Sequence, residues 1–173
     1  MQEIVRELQG ATLGGHALLA VLPKLRRLLE AERVAAFRPV RTGAGWKLDF
    51  AFLEGFAAGM EKLATDWFAT APADAFFFDP YMPQADQRNV VLRTRADLPA
   101  DEAAKAPAVR DLFPKLGLAG MDQIRVLICE GDQVLAWVGA FRIRTFTELD
   151  EQRFAALVPA MQSRLSLEAS LYK

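Results

Sequence analysis

Apolar residues along the chain fall into runs of two different periods. From Asp122 to Arg144 two stretches rich in Ile, Val, Leu and aromatics flank a Gly131-Asp132 turn signal, which predicts a β-hairpin. With a two-residue turn, Cys129 would face Val134, Leu127 would face Ala136, and Arg125 would face Val138. Both faces of this ribbon are mostly apolar, so both must be covered, and the hairpin belongs at the centre of a sheet.

The remaining runs supply its neighbours. Leu18, Val21, Leu22, Leu25, Leu28 and Leu29 recur at three- and four-residue spacings between His16 and Ala31, the signature of an amphipathic helix, with a bend or a helix start expected at Pro23. Arg33 to Val40 reads as a strand. A second strand, Trp46 to Leu53, alternates at Trp46, Leu48, Phe50 and Phe52, which predicts a wet face at Lys47 and Asp49. Phe56 to Ala71 reads as a helix stopped by Pro72. Ala73 to Pro107 mixes prolines, aromatics and polar residues without a period, as functional loops do, with a short element expected at Asn89 to Leu92. Val109 to Leu116 reads as a short helix ended by Gly117. Thr147 with Asp150 forms a capping-box pattern opening a long helix, Glu148 to Leu171, which Pro159 interrupts. Residues 1 to 15, with Ile4, Val5 and Leu8 followed by Gly10, Gly14 and Gly15, read as an arm preceding a single domain over 16 to 173.

This order predicts an α+β fold: an antiparallel sheet of five or six strands, the terminal helices on one face and the irregular segment as a lid on the other. Length agrees, since 173 residues suffice for one core without staples. Hydrophobic residues at 52% and a net charge of −1 give no electrostatic reason to expect nucleic acid or anionic lipid. No apolar run reaches the roughly eighteen residues of a membrane span, and the N-terminus carries charges where a signal peptide is apolar. A cytoplasmic location is expected, consistent with a single cysteine.

Catalytic chemistry finds little support. The serines Ser163, Ser166 and Ser170 cluster on the last helix, away from any oxyanion site. The sole histidine, His16, is far in sequence from Cys129, and a lone strand cysteine is most often a small buried hydrophobe. Two ligands of the Cys/His type are too few for a structural zinc site. Gly10 to Gly15 lacks the Lys-Ser/Thr ending of a phosphate loop. No catalytic residue, metal or cofactor is therefore assigned, and a binding role is expected rather than an enzyme.

In the expected register Arg125 and Arg142 share one apolar sheet face, where a guanidinium needs a partner. One reading is a fork for an anionic or carbonyl-bearing ligand, assisted by Arg88 and walled by Trp137, Tyr81 and Phe77. The competing reading is an internal ion pair, with Asp122 or Glu148, that pins the open end of the hairpin.

The stretches Gly117 to Leu127, Trp137 to Arg142, and Phe154 to Pro159 with Arg164-Leu165 resemble a GAF domain, and more narrowly the GAF-like sensor module upstream of LuxR-type helix-turn-helix regions in bacterial regulators. Lys24 to Val40 fits the same pattern. The Asn-Lys-x-x-Phe-x-x-x-Asp-Glu signature of cyclic-nucleotide-binding members is absent. The resemblance implies a GAF/PAS-like sensory domain of transcription regulation, with a small-molecule ligand under the lid and a homodimer formed through the terminal helices. The alternative is a ligand-free protein-protein interaction module.

Overall fold

The computed structural model describes residues 1–10, 17–42, 45–72 and 84–171, without the side chains of 41, 42, 45, 46, 102 and 103. Among these described residues, five strands form one antiparallel sheet in the order β2-β1-β5-β4-β3: β1 is Arg33–Thr42, β2 Gly45–Glu54, β3 Val91–Arg93, β4 Asp122–Glu130 and β5 Gln133–Arg142. The predicted hairpin is β4–β5, and β5 is the middle strand. Every residue of β5 after Gln133 is buried, as expected of a ribbon dry on both faces.

Its register departs from the simple two-residue turn. Cys129 pairs with Val134 as expected, but the ladder then shifts between Ile128 and Cys129, so that Leu127 pairs with Trp137, Arg125 with Gly139 and Asp122 with Arg142. Because side chains alternate with a period of two, this one-residue slip sends Arg125 and Arg142 to opposite faces. The expectation that they share a face is therefore corrected. A second irregularity, between Arg38 and Pro39, has the same effect on β2. Leu48 joins one core, while Phe50 and Phe52 pack on the other, so no single wet face runs the length of that strand.

The helices divide as the sequence predicts. On one face lie α1 (Gln2–Gln9), α2 (Ala17–Leu28), α6 (Glu148–Ala155) and α7 (Val158–Leu171), packing Leu22, Leu25, Phe154, Leu157 and Met161 onto Ile124, Val126, Val138 and Ala140. Residues 2 to 9, expected as an arm, form a helix that buries Ile4 and Leu8 in this core. Helix α2 runs through Pro23. The single long C-terminal helix of the sequence reading is two, because Pro159 sits in the first turn of α7, where its missing N–H costs nothing. On the other face lie α3 (Met60–Ala69) and the segment from α4 (Thr94–Asp97) through α5 (Ala100–Lys105) to Leu118. Phe56 precedes α3 instead of starting it.

One polar knot ties the helical layer to the sheet. The buried Arg142 donates from Nη1 to the Leu29 carbonyl (2.7 Å), from Nε to that of Arg144 (2.9 Å), and from Nη2 to Thr145 O (3.0 Å) and Asp150 Oδ2 (2.6 Å). Its guanidinium also lies 4.1 Å from the Phe146 ring centroid. Asp150 closes the Thr147 capping box, so its carboxylate serves both helix and sheet. Burial opposes its ionisation, but hydrogen bonds from Thr147 and the Arg142 charge outweigh this and hold its pKa below the usual value. An internal ion pair thus exists at Arg142, but its partner is Asp150 and not the expected Asp122 or Glu148. Asp122 instead accepts from the backbone N–H groups of Arg95, Gln123 and Phe146.

Removing one member of a buried, multiply bonded pair costs about 3–5 kcal/mol, so Arg142→Ala should lower the melting temperature by on the order of 10 °C. The Asp150 contribution is fully present above the unfolded aspartate pKa, about 4, and disappears as pH falls through the lower folded value. Urea melts from pH 6 to pH 2 should show an acid limb in the parent that is shallower in Asp150→Asn.

Candidate functional site

Between the sheet and its second cover lies a cavity of about 60 Å³. Its floor is the face of the sheet that carries Ala35 and Phe37 on β1, Leu48, Ala51 and Leu53 on β2, Gln123 and Arg125 on β4, and Trp137 and Phe141 on β5. Phe56 with Ala64 and Phe68 of α3 makes one wall. Thr94, Leu98, Ala106, Ala108, Val109, Leu112, Phe113, Leu116 and Leu118 make the lid. Among the described residues the polar side chains on this lining are Thr94, Gln123 and Arg125; the rest are aliphatic or aromatic.

Trp137 sets the floor's shape. A Cβ at Gly139 would collide with the Trp137 ring, so the indole lies over the residue two positions along its own strand. There it stacks on Phe37, with centroids 5.0 Å apart and planes 16° from parallel. Phe37 in turn meets Phe68 at 5.3 Å. Glycine at 139 is the condition for a flat aromatic floor.

Arg125 supplies the charge. It pairs with Gly139 in the ladder, is only 2% exposed, and burial lowers its guanidinium pKa to about 10. It remains cationic at neutral pH inside a mostly apolar chamber that also carries Thr94 and Gln123, which suits an anionic or carbonyl-bearing head group.

No family model matches the sequence, and none of the curated proteins compared with it matches. Solved structures do. The chromophore-binding domain of an unusual bacteriophytochrome from R. palustris aligns with a TM-score of 0.56 at 10% identity, over 99% of this chain and 60% of that one. The chain therefore spans 60% of that domain's length. The A. aeolicus nlh2 GAF domain in an inactive state aligns at 16% identity and TM-score 0.49, over 99% of this chain and 94% of that one. A GAF domain/HD domain protein from Geobacter sulfurreducens aligns at 13% and 0.48, over 98% and 94%. The fold is GAF-like.

Within this GAF-like fold the residues predicted from sequence part company. Arg125 and Trp137 line the cavity together. Arg142 lies on the opposite face, engaged by Asp150 and three carbonyls. Arg88 is not on the lining; its backbone bridges to Leu127, and the adjacent Asn89 clips the Cys129 main chain, accepting from its N–H (2.8 Å) and donating to its carbonyl (3.3 Å). Phe77 and Tyr81 fall outside the described residues, as does His16. Cys129 is buried, and burial pushes its thiol up to about 11, which leaves it protonated and a poor nucleophile. Sequence reasoning missed Gln123, Thr94, Phe37 and Phe113. The first could have been found from strand alternation alone, since it is two residues from Arg125 on the same strand.

Gly139→Ala should drive Trp137 off Phe37 at a cost of about 1–3 kcal/mol. Loss of near-ultraviolet circular dichroism with far-ultraviolet signal retained would show it; an unchanged near-ultraviolet spectrum would contradict the packing described.

Proposed function

We propose that the chain is a sensory domain that binds a small molecule with an apolar or aromatic body and one anionic or carbonyl end, under the 94–118 lid. The observation that carries this reading is a buried cation in an apolar, aromatic-floored cavity. Keeping a guanidinium there costs desolvation, and binding sites are where such costs are retained. The likeness to GAF structures supports the fold on which such a pocket would sit. The cavity as it stands has room for a few waters, so a larger guest requires the lid to move outward.

Occupancy would be passed on through the helical layer. Leu19 on α2 and Leu167 and Leu171 on α7 are exposed, which suits a homodimer built from the terminal helices, in keeping with a regulatory module of a bacterial regulator. The same exposed leucines, with a cavity well below the 300–1,000 Å³ usual for ligand sites, favour a second reading: a ligand-free module that binds a partner protein.

Native mass spectrometry of protein purified from its own host separates the two, a retained small molecule against an additional polypeptide. As a probe of chemistry, sodium benzoate should raise the melting temperature of the parent and not of Arg125→Met, which keeps the stem and removes the charge; benzylamine should do neither. Leu167→Glu with Leu171→Glu should turn a dimer into a monomer in light scattering, and a parent monomeric at every concentration would end the dimer reading.

A further inference from the structure

We propose that Arg33 is the clasp of the lid and that the cavity is entered beneath it, between Phe56 and Phe113. The inference rests on the cavity being a ligand site, but the clasp can be tested without any ligand.

Arg33 opens β1 opposite Phe141. Its side chain crosses to the far end of the lid, where Nη1 donates to the carbonyls of Leu116 (2.8 Å) and Gly117 (2.6 Å). These oxygens end the lid's last turn, where carbonyls have no partner within the turn, and a guanidinium serves them with charge-assisted bonds. The same guanidinium carbon sits 5.5 Å from the centroid of Phe56, in the loop before α3. One cation therefore joins floor, wall and lid at a single point.

The aromatic rings below it form the closure. Phe56 and Phe113 each meet Phe141 edge-on, at 6.5 and 5.6 Å between centroids, and all three line the cavity. No covalent link joins Phe56 to Phe113 nearby in sequence, so this seam can part without breaking an element. The start of the lid is held separately: Arg95 donates to Gly120 O (2.7 Å), Ile143 O (2.9 Å) and Thr145 Oγ1 (3.2 Å).

Gly117 is built around the clasp. Its φ of +74° favours glycine, and a Cβ there would occupy the position of Arg33 Nη1. Just before it the lid makes a wide π-type turn, with the Phe113 N–H donating to Ala108 O at 2.9 Å. Such turns interrupt regular helix and are frequent at functional sites. A short, irregular segment whose far end is fastened by one side chain has the composition of a lid that opens locally at that end.

Hydrogen-deuterium exchange on the full chain is the test. Arg33→Met should accelerate amide exchange in 106–118 roughly 10- to 100-fold, as expected for losing hydrogen bonds to a charged group, while 124–141 stays protected. Gly117→Ala should give the same regional pattern, and Arg33→Lys, which retains a donor, an intermediate one. In an Ala64→Cys background, methyl methanethiosulfonate should label the cavity thiol correspondingly faster once Arg33 is Met. Unchanged exchange in 106–118, or acceleration matched across the sheet, would overturn the clasp. Unchanged labelling with faster lid exchange would overturn the entrance. Absence of benzoate binding in every variant would count against the ligand reading alone.

Discussion

The structure depends on a strand that has no wet side. Backbone hydrogen bonds pair β5 with β1 and β4, and side chains alternate above and below it into two separate apolar layers. Hydrogen-bonded ladders satisfy the backbone, but nothing short of a cover on each face removes the side chains from water. The chain before and after the hairpin is therefore divided between two jobs. Terminal helices close one face with leucine, valine and isoleucine at helical spacing, and these interdigitate closely. A shorter helix and an irregular segment close the other with rings, which pack edge-on and stacked over Trp137, and it is there that space remains.

Two arginines near the open end of that hairpin, Arg142 in its last pair and Arg125 three positions further in, show how much rests on one residue of register. Arg142 lies on the helical side and spends its donors on Leu29, Arg144, Thr145 and Asp150, holding together the end of α2, the loop after β5 and the start of α6. Arg125 lies on the cavity side among rings and methyl groups. The first is structural because its neighbours are carbonyl oxygens and a carboxylate that need a donor. The second brings charge to a chamber whose described walls are mostly apolar. Both sit on one two-stranded ribbon, and their strand neighbours Val126, Val138 and Ala140 belong to the core under α2 and α7. The sheet is the physical link between cavity and helices.

Glycines shape this side of the molecule by absence. At Gly139 the missing Cβ is replaced by an indole, and at Gly117 by a guanidinium. In each case a large side chain from elsewhere in the fold lies against bare backbone, giving the cavity a flat floor and the lid a fitted end. Neither role is visible from the glycines themselves, because the group that needs the room is two residues away in one case and far along the chain in the other.

Period and composition alone determined the hairpin, its two dry faces, the amphipathic α2 and the Thr147–Asp150 cap, since each is a local pattern that one strand or helix writes along its own length. Tertiary structure alone decided which arginine meets which surroundings. A bulge between Ile128 and Cys129 and another at Arg38–Pro39 leave no periodic trace, yet each reverses the facing of every residue beyond it. The burial of α1 was decided in the same way, because Ile4 and Leu8 find α2 and α7 only once the chain has folded back on itself. Arg33 is the clearest case: its hydrogen-bond partners lie more than eighty positions away, and no spacing along the chain can encode a contact that exists only because β1 begins and the lid ends at the same corner of the sheet.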